Sequence, residues 1–157
     1  MAEETKYTKE EFHKRMAVDL FNRVWDLLDK EKRTVAEDDE MLHAAHASRY
    51  HWGEIGTPLN FERGEWQISR VYAVLGRPEP ALFHARKCLQ ICIENDIGDF
   101  DIAFAYEAVA RAYASAGNAE ECEKYRELAR KAGEEIEEDG DREMFLGELN
   151  TVACGAG

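Results

Sequence analysis

Shifted by 41 residues, the chain matches itself: Tyr72 falls on Tyr113, Gly76 on Gly117, Ala81 on Cys122 and Cys88 on Ala129. Each copy reads as a helix, a glycine corner and a second helix with small residues at fixed offsets. The glycine turns the chain between two antiparallel helices, and the small residues let those helices approach closely. A single pair cannot bury both of its faces, so pairs must stack on one another. Elsewhere the apolar residues also recur at three and four, with the breakers between the runs, which predicts an all-α protein without strands.

The helix signals can be placed one by one. Thr8 with Glu11 opens the first helix, whose stripe runs through Phe12, Met16, Leu20, Val24 and Leu27 to about Lys32. Thr34 with Glu37 offers a capping box for the second, which stops before Gly56. Thr57-Pro58 starts the third, ended by Gly76, and Arg77-Pro78-Glu79-Pro80 turns into the fourth. Asp99 or Asp101 caps the fifth, Asn118 with Glu121 opens the sixth, and a short seventh over about Asp141 to Thr151 forms a lid. Residues 1–152 are expected to form one domain, with Ala153-Cys154-Gly155-Ala156-Gly157 a disordered tail.

In the second copy, Tyr106, Val109, Ala110, Tyr113, Gly117, Cys122 and Ala129 resemble the pattern of the tetratricopeptide repeat. In the first, Ile68, Ser69, Tyr72, Gly76, Ala81 and Cys88 fit, while Glu65 stands in the place of the large aromatic and Trp66 comes one residue late. The resemblance covers about residues 62–136, and the excess over the family period of about 34 lies in Asp96 to Asp101. It implies a short right-handed superhelix of about seven helices stacked as antiparallel hairpins, with a concave groove that holds a peptide or protein and no catalysis of its own. The groove residues it implies are Arg63, Trp66 and Arg70 on one helix and Phe104, Glu107 and Arg111 on another.

Charge narrows the partner. Twenty Lys and Arg stand against 33 Asp and Glu, a net charge of −13. Such an excess repels phosphate backbones and anionic lipid, which argues against nucleic-acid and membrane-surface roles. Within residues 40–93, however, six basic residues meet five acidic ones, and four of the five histidines lie there. Three arginines gathered in one hollow suit carboxylates, so the expected partner presents acidic side chains or a free C-terminus. The bland alternative is that Glu62, Glu65 and Glu107 pair with those arginines internally. The acidic run Glu134 to Asp139 reads as a solvated helix end prone to fray.

The second helix carries the other candidates. His46, Arg49, Tyr50 and His51 crowd one stretch and suggest a ligand pocket beside the groove, with Trp52 and one histidine turned toward the core. Asp39, His43 and His46 share a helix face and offer a carboxylate and two imidazoles to a divalent metal. No HExxH or distant ligand pair accompanies them, so no metal or cofactor is assigned. A small-molecule or metal-dependent protein is thus the alternative to a non-enzymatic binding module. Phosphate loops, GxSxG elbows and cysteine-nucleophile signatures are absent.

The four cysteines show no paired CxxC spacing. Cys122 and Cys154 read as isolated, and Cys88 and Cys92, one helical turn apart, as small core side chains rather than a redox pair. With no signal-peptide pattern and no apolar run of the roughly 20 residues that span a bilayer, a soluble protein of the reducing cytoplasm is expected. The stripe of the first helix, with Phe12, Phe21 and Trp25 nearby, could close a dimer as readily as cap a monomer.

Overall fold

The chain is described by a computed structural model over residues 3–155, of which none forms a strand. Seven helices follow in order: α1 (Lys9–Leu28), α2 (Val35–Ile55), α3 (Pro58–Val74), α4 (Pro78–Glu94), α5 (Asp99–Ser115), α6 (Ala119–Glu134) and α7 (Asp139–Leu149). They pack in consecutive pairs, α1 with α2, α3 with α4 and α5 with α6, an arrangement consistent with an all-α helical repeat. Successive pairs meet through α2 with α3 and α4 with α5, α3 also approaches α5, and α7 lies against α5 and α6. No helix among the described residues is long and apolar enough to cross a membrane.

Local chemistry fixes most helix ends. The Thr8 hydroxyl accepts from the Glu11 amide, and Thr34 and Glu37 make the reciprocal box. Pro58 and Pro78 sit in first turns, where a missing N–H costs nothing. Asn118 accepts from the Glu121 amide to open α6. The two glycine corners repeat in detail. Gly76 and Gly117 have φ of 72° and 76°, and the residue after each donates back five positions, Arg77 to Tyr72 O and Asn118 to Tyr113 O. Tyr72 then stacks on His84 and Tyr113 on Tyr125, again 41 residues apart. Ala81 and Ala129 are fully buried and Tyr113 nearly so, whereas Tyr72 is only half-buried.

Four expectations need correction. Helix α1 ends at Leu28, short of Lys32. Neither Asp99 nor Asp101 caps α5: Gly98 is the N-cap without a side-chain bond, and the Asp99 carboxylate accepts from the Glu137 amide instead. The acidic run is more ordered than a frayed end, because Ile136 is buried and the Glu138 carboxylate accepts from the amides of Gly140 and Asp141 to start α7. The tail is also anchored. Cys154 is buried and forms a disulfide with Cys122 of α6, so two cysteines that look isolated in sequence tie the chain end to the last pair. This bond runs against the uniformly reduced cysteines of the sequence reading. Ala156 and Gly157 lie outside the described residues.

Candidate functional site

The faces of α1, α3, α5 and α7 line a half-open cavity of about 500 Å³. Its walls are aromatic: Phe21 and Trp25 from α1, Trp66 from α3, Phe100 and Phe104 from α5, with Met144 from α7. Trp25 and Trp66 are themselves 41 residues apart, and their rings lie 5.6 Å from centre to centre. Trp66 meets Phe104 edge to face at 5.7 Å, and Phe104 meets the buried Phe145 in the same manner at 4.8 Å. Interlocking rings of this kind make a stiff apolar surface. Gln67 fixes α1 against α3 by donating to the Phe21 carbonyl at 3.0 Å.

Arginine ion pairs frame the cavity. Arg63 holds Asp101 through two bonds of 2.8 and 3.1 Å. Arg70 reaches Glu148 at 2.7 Å and stands 3.5 Å from Glu107, which also accepts from Arg111 at 2.6 Å. Arg111 continues to Thr151 Oγ1 and the Glu148 carbonyl, tying α5 to the end of α7. The expected groove residues therefore divide. Arg63, Trp66, Arg70 and Phe104 line the hollow, whereas Glu107 is fully buried beneath it and Arg111 fastens the lid helix. Burial pushes the Glu107 carboxyl up, against the pull of Arg111 and Arg70. Each of the three arginines has a carboxylate from its own chain: Glu107 and, at 3.9 Å, Glu62 pair as expected, Asp101 and Glu148 add to them, and Glu65 engages Arg49 instead.

The histidine-rich helix forms a different network, on the side of α3 that faces α2 and α4. Glu65 accepts from Arg49 at 3.3 Å and lies 2.6 Å from His84 Nδ1, while His46 Nε2 meets the Tyr72 hydroxyl at 3.0 Å. Burial pushes the Glu65 carboxyl up, but His84 and Arg49 outweigh it and hold the group below its usual value. Arg49 also lies over the Phe61 ring. His51 turns away to meet His13 of α1 at 2.8 Å, and Tyr50 is exposed. The four residues expected in one pocket thus face two neighbours and solvent. Trp52 is half-buried. Asp39, His43 and His46 do not bring three donor atoms together.

The sequence matches no family model, and no curated protein matches it. The chemistry of the molecule itself is what bears on function, and one further cluster belongs to it. Glu62 of α3 and Cys88 and Cys92 of α4 are all buried, with their donor atoms within 4.8 Å of one another. Burial and the neighbouring Asp101 push the Glu62 carboxyl up to about 10. Both cysteines are free thiols. Sequence spacing hides this cluster because its members come from two helices, and Glu62 looks like one more surface acid. Phe21 and Trp25 were legible only as neighbours of the apolar stripe on α1, although the 41-residue shift that carries Trp25 onto Trp66 marks the wall they form.

Proposed function

We propose that this protein is a non-enzymatic binding module that seats an aromatic or long aliphatic side chain of a partner segment between α1, α3, α5 and α7. The aromatic cavity carries this reading. Its walls come from four helices, its volume suits one or two large side chains, and polar groups are confined to a few ion pairs. The resemblance to tetratricopeptide repeats supports a peptide rather than a small metabolite as the occupant. Acidic character in the partner is a secondary feature here. A carboxylate reaching Arg63 or Arg70 must compete with Asp101 or Glu148, so charge would orient the segment while the apolar anchor supplies most of the affinity.

Two of the three tryptophans line the cavity, which makes their fluorescence a local reporter. Capped pentapeptides with Phe, Leu or Ala at the centre, each with neutral or acidic flanks, can be titrated against the protein. The Phe and Leu series should shift tryptophan emission saturably and the Ala series should not, with acidic flanks changing the salt dependence more than the affinity. Phe104→Ala should abolish the shift. Equal responses from the Phe and Ala peptides, or none from either, would refute an apolar anchor site.

A further inference from the structure

We propose that Glu62, Cys88 and Cys92 form a binding site for a thiophilic divalent metal ion of the zinc class, held between α3 and α4. The site stands on geometry that the cavity reading does not use. Cys88 and Cys92 are one turn apart on α4, so both sulfurs face α3, where the Cys88 thiol donates to Glu62 Oε2 at 3.3 Å. Tetrahedral zinc holds sulfur at about 2.3 Å and carboxylate oxygen at about 2.0 Å, which places neighbouring donors roughly 3.5 to 4 Å apart. Donors already within 4.8 Å reach that spacing by small side-chain rotations.

Glu62 supplies a second, independent sign. It is 1% exposed, and its Oε1 has no hydrogen-bond partner, an uncommon state for a buried carboxyl oxygen. A cation would satisfy it. Arg63 Nε stands 3.9 Å from that oxygen, too far for a hydrogen bond, and is held by Asp101 instead. Two thiolates favour zinc-like ions over magnesium or calcium, and three protein donors leave one coordination position for water or a ligand group. Access is provided because Glu62 and Asp101 also line the aromatic cavity.

Cobalt(II) alone is the probe, added to chelator-treated full-length protein with the Cys122–Cys154 disulfide kept oxidised. A single equivalent should produce the near-ultraviolet thiolate-to-cobalt band and the intense visible bands of tetrahedral cobalt, and zinc should erase both. Cys88→Ser and Cys92→Ser should each reduce the thiolate band. Glu62→Gln should retain it while weakening cobalt binding by more than the ~10-fold typical of losing an outer-shell partner. Absence of the thiolate band at saturating cobalt, or cobalt bound with only nitrogen and oxygen ligands, would overturn the site. That outcome is read on the unaltered chain and so does not depend on whether a variant folds. Survival of the band in the Cys88→Ser, Cys92→Ser double variant would overturn it as well.

Discussion

The pairs α3/α4 and α5/α6 share a corner, a stacking aromatic and a 41-residue register, yet at matching positions they bury opposite chemistry, with Glu107 the one buried charge of α5. Helix α5 buries Ala103, Ala105, Ala108 and Ala110; at the matching positions α3 carries Glu62, Gly64, Gln67 and Ser69. Helix α6 likewise buries Ala129 and Gly133 where α4 buries Cys88 and Cys92. Because the backbone device is the same, the polar content of α3/α4 is not required by the fold. Burying polar groups carries a penalty unless they are bonded, and α5/α6 shows that alanine would serve. Both the proposed metal site and the Glu65 network lie in the pair that departs from the apolar solution.

The apolar pair has a different dependence: it relies on α7. Gly133 has no side chain where the fully buried Phe145 ring inserts, and Phe145 also meets Phe104. Phe145→Ala should therefore give the largest loss among these predictions, about 3–5 kcal/mol in chemical denaturation. It should also release the lid and weaken peptide-induced shifts at Trp66. Gly133→Ala should destabilise through a clash with the same ring. A Phe145→Ala loss below about 1 kcal/mol would show that α5/α6 holds together without α7.

The polar pair can be broken at Glu65, which Arg49 and His84 both engage. Glu65→Gln should cost about 1–3 kcal/mol near neutral pH, since it leaves the part-buried Arg49 guanidinium without its carboxylate. Its pH dependence has a definite sign. The folded carboxyl titrates below its usual 4.5, so in that range the unfolded chain binds more protons and stability rises with pH. The contribution is present above about 4.5 and disappears as pH falls through the lower folded value. The gap between wild type and Glu65→Gln should thus close on acidification, measured as urea midpoints across pH. A gap that stays constant would mean that the carboxylate charge is not what matters.

Helices were legible in the sequence because their signals are local. Thr34 with Glu37, Pro58, Pro78, Gly76 and Gly117 each act within a few residues, and the structure uses each as a cap, first turn or corner. The candidate site was legible only in part, because it depends on what meets across helices. Trp66, Phe104, Arg63 and Arg70 line the hollow, as the resemblance to tetratricopeptide repeats implied. Asp101, Glu148 and the Glu62–Cys88–Cys92 cluster follow from rotation and stacking that no local spacing encodes. The Cys122–Cys154 bond was missed for a related reason: 32 residues and a whole helix separate its ends, and only the return of the chain over α6 joins them.

The smallest predicted effect tests the shared element itself. Gly76 and Gly117 both adopt a left-handed φ, and a Cβ added at either would meet open space. Replacing them with alanine therefore isolates the backbone term from packing. A left-handed residue with a side chain costs about 1–2 kcal/mol, partly offset because alanine also restricts the unfolded chain. Gly76→Ala and Gly117→Ala should each lower stability by about 1 kcal/mol, and by similar amounts, in denaturant titrations. Equal costs would show that the two corners are one device, so that the polar and apolar interiors behind them differ by what they bury and not by how the chain turns. A much larger cost at Gly76 would mean that its corner also constrains the Tyr72–His84–Glu65 network, coupling the turn to the polar interior in one pair alone.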